Sequence, residues 1–117
     1  MNPLTQQWLD RAAEDYRIML RESQVTEDPG YNAICFHAQQ CAEKLLKAFL
    51  HENGICFPKT HDIGELFQLA LPMRPEWKSL IVQYGFLSDY AVDARYPGES
   101  AFREEAERSS SRMRRYS

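Results

Sequence analysis

A chain of 117 residues is long enough to bury a core without disulfides or metals, and 44% hydrophobic with 26% charged residues excludes a disordered polymer. A formal net charge of −3 has the wrong sign for a protein that binds nucleic acid through a plain basic excess. Three cysteines, none in a CxxC pair, leave one over in any disulfide scheme, and no apolar run approaches membrane-spanning length.

The start of the chain lacks the basic residues and apolar run of a signal peptide, so a cytoplasmic protein with reduced thiols is expected. Breakers cluster at Asp28-Pro29-Gly30, Asn53-Gly54 through Pro58, Pro72 to Pro75 and Tyr96-Pro97-Gly98. They divide the chain into segments with helical periodicity, and nothing splits residues 1–117 into more than one domain. The first segment, from about Thr5 to Ser23, repeats Trp8, Leu9, Ala12, Ala13, Tyr16, Met19 and Leu20 at helical steps. The second runs from Tyr31 to Glu52 and stops at Asn53-Gly54. A short third helix follows Asp62 as N-cap and turns Ile63, Leu66, Phe67 and Ala70 inward. Pro75 suits the first turn of a fourth, with Trp77, Leu80, Ile81, Tyr84, Leu87 and Ala91 as its stripe. A fifth begins near Glu99 and carries Phe102, Ala106, Ser109, Met113 and Tyr116. With no sustained strand alternation, the fold class is all-α, a bundle of four to five helices. Gly85, inside the fourth segment, marks an expected close approach between helices.

The second helix carries the chemistry. At 100° per residue, Ile34, Cys35, Ala38, Cys41, Ala42, Leu45, Leu46 and Phe49 cover one broad side. His37, Gln40, Glu43, Lys44, Lys47 and His51 lie opposite, five of them stacked in steps of three and four. Such a stripe is either a solvated face with an ordinary Glu43–Lys47 pair or a polar seam in which imidazole, amide and ammonium groups converge on an anion. Elsewhere, Arg95 before Tyr96-Pro97 is either a loop clamp or an anion-binding group. His61-Asp62 reads as an oriented acid–base pair or, more simply, as a residue preceding a helix cap. The basic cluster Arg108, Arg112, Arg114 and Arg115 reads as a helix end that complements the dipole. The histidines and cysteines have no recognised metal spacing and no phosphate-binding glycine loop is present, so no metal and no cofactor is expected.

The run from Cys35 to Ala48 (CFHAQQCAEKLLKA) resembles the signature second helix of HEPN domains. Pro58-Lys59-Thr60-His61-Asp62-Ile63-Gly64-Glu65-Leu66 is similar to that family's turn into its third helix. Asp89-Tyr90 and Ala94-Arg95-Tyr96-Pro97 resemble the segment joining its fourth and fifth, and Trp8 to Leu20 fits its first. The resemblance implies an up-and-down bundle that forms homodimers and pairs with a small nucleotidyltransferase, often as a toxin–antitoxin couple. It also implies, for many members, a metal-independent ribonuclease built on an arginine followed, after four to six intervening residues, by a histidine at the start of the last helix. Arg95 is the matching arginine, but Ser100, Ala101 and Phe102 stand where the histidine would fall, and no histidine follows His61. The expected function is therefore a module without that ribonuclease pair. It binds a nucleotide, RNA or a nucleotidyltransferase through His37, Gln40, Lys44, Lys47 and Arg95. The alternative is a ribonuclease toxin with a variant set drawn from His37, His61 or Arg95.

Overall fold

The computed structural model describes residues 1–85, 87 and 103–114. Among them every regular element is helical: α1 (Pro3–Ser23), α2 (Tyr31–Glu52), α3 (Ile63–Ala70), a 3-10 turn (Pro75–Trp77), α4 (Lys78–Tyr84) and α5 (Arg103–Arg114). Local chemistry accounts for the helix ends. Pro3 occupies the first turn of α1, where its missing N–H costs nothing, and the Asn2 side chain accepts from the Leu4 amide at 2.9 Å. α2 ends at Asn53-Gly54, where Gly54 takes a φ of 70°, a left-handed value that glycine adopts without a Cβ clash. The amides of Asn53, Gly54 and Ile55 then donate to the carbonyls of Phe49, His51 and Leu50. Asp62 caps α3 as the sequence predicts, its carboxylate accepting from the amides of Gly64 and Glu65.

α1 and α2 form an antiparallel hairpin, closed by Thr5 on Glu52 at one end and by Glu22 on the Gly30 amide at the other. α5 runs along α2 in the same direction: Ala106 shares a cleft with Ile34, and Met113 shares one with Cys41 and Leu45. α3 covers another side of α2, with Ile63, Leu66, Phe67 and Ala70 all buried. α2 is thus the central helix, and its Ile34, Cys35, Ala38, Leu46 and Leu50 form the middle of the core. Trp77 from the 3-10 turn closes the end of that core against Phe49, ring centroids 4.7 Å apart.

Two expectations change. The clean division of α2 into apolar and polar faces does not hold: Gln39, Glu43 and Lys47 are buried, whereas Leu45 is 37% exposed. A central helix has neighbours on most of its circumference, so the arc that periodicity assigns to water is covered by α1 and the α2–α3 connection. Among the described residues Gly85 makes no close helix approach either, since an added Cβ would meet none of their atoms within 4 Å. The stripe of the fourth segment faces the core as expected through Leu87, with Tyr84 and Leu87 buried and Trp77, Leu80 and Ile81 packed against it. Ala91, the expected start of the fifth helix near Glu99, Phe102 and Tyr116 lie outside the described residues.

Because Leu50 is fully enclosed between α2's neighbours, Leu50→Ala should lower stability by about 2–5 kcal/mol. Val82→Ala, at the 86% exposed position of α4, should cost less than about 1 kcal/mol. Urea unfolding of both variants checks the assignment of buried and exposed sides.

Candidate functional site

Two carboxylates organise the polar side of α2. Asp15 projects from the buried face of α1, in register with Ala12 and Met19, and is itself buried. His37 Nδ1 lies 2.8 Å from one of its oxygens, and the Lys44 ammonium donates to the other. A carboxylate can only accept, so the imidazole donates from Nδ1 and its Nε2 is left for another partner. The His37 and Lys44 side chains remain 22% and 19% exposed, so this pair of cationic or donor groups lies at the edge of the α1–α2 seam rather than inside it.

One turn further along, Glu43 is the acceptor of a second cluster. It receives Gln39 Nε2 at 2.9 Å, Lys47 Nζ at 3.0 Å and His61 Nδ1 at 2.9 Å. Gln39 also donates to the His61 carbonyl at 3.0 Å, and its own amide oxygen accepts from Gln40. The buried amide thereby has both donors and its acceptor satisfied, which removes the usual cost of burying it. Trp8 and Phe57 close over the Lys47 ammonium, with ring centroids 5.4 and 6.0 Å away. Burial alone would raise the Glu43 carboxyl's pKa, but the hydrogen bonds from Gln39, Lys47 and His61 and the Lys47 charge together hold it below the ordinary value.

Of the residues singled out from sequence, His37 and Lys44 meet on Asp15, Gln40 bonds Gln39, and Lys47 belongs to the Glu43 cluster. Arg95 and positions 100–102 lie outside the described residues. Lys47 does not stand on an open polar stripe with the others: it is buried and paired to a buried carboxylate. The Glu43–Lys47 contact is accordingly not the ordinary exposed ion pair of the solvated-face reading. Asp15 and Gln39 were not chosen, although each left a signal. A carboxylate spaced three residues after Ala12 and four before Met19 falls on an apolar face, where a charge requires a partner. Gln39 interrupts the apolar arc between Cys35 and Ala42 in the same way.

Cys41 completes the seam between Asp15 and Lys44. Burial, reinforced by the Asp15 charge and opposed by Lys44, pushes its thiol up to about 12. A thiol so strongly protonated at neutral pH is a core residue and not a nucleophile. Among the described residues no three His, Cys, Asp or Glu side chains are grouped to hold a metal ion, and no helix is long and apolar enough to cross a membrane.

The arrangement is that of an all-α bundle whose central helix buries a paired polar seam. The chain belongs to the HEPN domain family, whose sequence model matches residues 5–116. No curated protein and no solved structure gives a match.

The folded Glu43 carboxyl titrates below its unfolded value of 4.5, so its stabilisation is complete above that pH and is lost as pH falls through the lower folded value. Glu43→Gln should cost about 2–4 kcal/mol at neutral pH, because Lys47 loses its counter-charge while the amide oxygen still accepts. The variant's stability should also vary less with pH than the parent's below pH 4.5. Denaturant unfolding between pH 7 and 3 measures both effects.

Proposed function

We propose that this HEPN-family protein is a binding module that takes a phosphate-bearing ligand, a nucleotide or RNA, at the α1–α2 seam. The observation that carries this reading is the convergence of His37 and Lys44 on Asp15. One buried carboxylate holds two donor groups side by side at a partly exposed edge, so a ligand need not order them itself. An ammonium has three N–H donors, and Lys44 keeps two for a phosphate oxygen. Gln40 lies between them along the helix and presents its amide oxygen to a neutral edge. Arg95 adds a bidentate donor in this reading, and the protein partner is a nucleotidyltransferase in a toxin–antitoxin-type pair.

The same reading makes the protein a homodimer through the Leu45 side of α2. Leu45 lies between two largely apolar clefts, one formed with Phe49, Trp77 and Leu80 and the other with Leu9, Ala13 and Tyr16. An exposed leucine flanked by apolar clefts on both sides is a surface that a second copy can cover. One observation favours a second reading, a ribonuclease with a variant set. Asp15 fixes the His37 tautomer with Nε2 directed away from it, the geometry of an oriented general base.

Two measurements test these statements. Lys44→Gln combined with His37→Gln should weaken binding of ATP or a single-stranded RNA oligonucleotide about tenfold and flatten its salt dependence. A folded variant that binds both as well as the parent removes the seam as the site, and chelator-resistant RNA cleavage lost in His37→Gln moves the choice to the ribonuclease. Leu45→Asp should give a monomer by light scattering where the parent gives a dimer; a monomeric parent rejects the dimer.

A further inference from the structure

Lys47 presents a contradiction that the seam reading must resolve. Its spacing from Lys44 puts it on the same stripe, yet its ammonium is buried, bonded to Glu43 and roofed by Trp8 and Phe57. No anion reaches it in this conformation. The roof, however, has two different halves. Trp8 belongs to the 21-residue helix α1, whereas Phe57 belongs to the connection between α2 and α3.

That connection is held lightly. Cys56, Pro58 and Lys59 are exposed, and Ile55 and Phe57 reach the core only half-buried. Neither flanking helix depends on its middle. α2 is ended by the amides of Asn53, Gly54 and Ile55, and α3 is capped by Asp62, with Thr60 bonding Glu65 and the Asp62 amide. Between these ends, two polar contacts tie the segment to α2, His61 Nδ1 to Glu43 and Gln39 to the His61 carbonyl. The His61 side chain is 65% exposed, so its bond to Glu43 is open to competition from water. Few buried apolar contacts and solvent-accessible tethers are the conditions under which a segment opens locally while the rest of the fold persists.

We infer that residues Cys56 to His61 form a latch over Lys47, fastened by His61 on Glu43, and that its release uncovers the Lys47 ammonium beside Lys44. Release lifts Phe57 from one side of the ammonium and removes one of the donors on Glu43, leaving Lys47 with Glu43 and Trp8. The latch concerns access to Lys47 alone, but its use by an anion rests on the seam reading above. In that setting the closed protein offers the His37–Lys44 pair of donors, and the open protein adds a second ammonium on the same helix face. Access to the Lys47 ammonium at the seam's edge thus depends on the position of the segment centred on Phe57 and Pro58.

Acylation of lysines by an amine-reactive ester, read residue by residue by mass spectrometry, tests the latch without any ligand. In the parent protein Lys47 should react far more slowly than the exposed Lys59 and Lys78. His61→Ala should raise the Lys47 rate about tenfold, equivalent to ~1.4 kcal/mol of closure, with Lys59 and Lys78 unchanged. His61→Asn, which can place an amide donor near the Nδ1 position, should restore slow reaction. Met19→Ala weakens the core far from the latch and should leave the Lys47 rate unaltered. The latch is refuted if Lys47 reacts as fast as Lys59 in the parent, if His61→Ala leaves its rate unchanged, or if Met19→Ala accelerates it equally, since exposure would then require global unfolding. Adding tripolyphosphate to the His61→Ala protein separates the two ideas. Protection of Lys47 supports the anion reading, whereas no protection with the acylation pattern intact leaves the latch standing and rejects that reading.

Discussion

Burying Glu43 beside the axis of the bundle is the constraint on which the rest of this structure depends. An ionised carboxylate out of water is tolerated only with partners, and here each partner comes from a place that fixes a piece of the fold. Gln39 and Lys47 come from the turns of α2 on either side. His61 comes from the segment leading into α3, so satisfying Glu43 also sets where the chain must pass before that helix starts. Lys47, once drawn inward, needs its own cover, and Trp8 from α1 and Phe57 from the connection supply it. One buried charge thereby links three elements that have no covalent reason to meet.

Asp15 plays the corresponding part between the two long helices. It is the acidic residue on the inner face of α1, and its two oxygens are taken by His37 and Lys44 of α2. Such pairing contributes little to net stability compared with an apolar contact of the same size, but it discriminates among rotations of α1 about its own axis. A rotated helix would leave a carboxylate unpaired beside Cys41 and Ala38. The polar seam therefore serves register, and the partly exposed donors at its edge are a by-product that a ligand can use.

The apolar layer is built differently. α2 presents Ile34, Cys35, Ala38 and Leu46 to α1, α3 and α5 in turn, and Trp77 seals the end through Phe49 and Phe67. Leu45 alone among the apolar residues named for this helix is exposed, between clefts on both flanks. The two sides of α2 thus offer different surfaces: a polar edge with the His37 and Lys44 donors on one side and an apolar shoulder on the other. A module that both binds an anionic group and associates with another protein needs two such surfaces.

The spans of α1, α2 and α3 and the inner face of α3 were legible in the sequence because helical periodicity is a local property. Ile63, Leu66, Phe67 and Ala70 had to share a side once Asp62 started the helix, and all four are buried. Gly54 and Asn53 marked the end of α2 for an equally local reason, the conformation that a helix terminus demands. The motifs of the second helix and of the turn before the third were sufficient to point to the HEPN family. Apart from the Glu43–Lys47 pair one turn apart on α2, the partners of the polar residues were not legible. Asp15 lies 22 residues from His37 and 29 from Lys44, and Glu43 lies 18 from His61, so no local spacing encodes these pairs. Only the rotation of α1 against α2, and the path of the chain between α2 and α3, decided which charges face one another. That is why Lys44 and Lys47, neighbours on one stripe, ended in different environments: α1 leaves the first at an open edge, while an aromatic roof closes over the second.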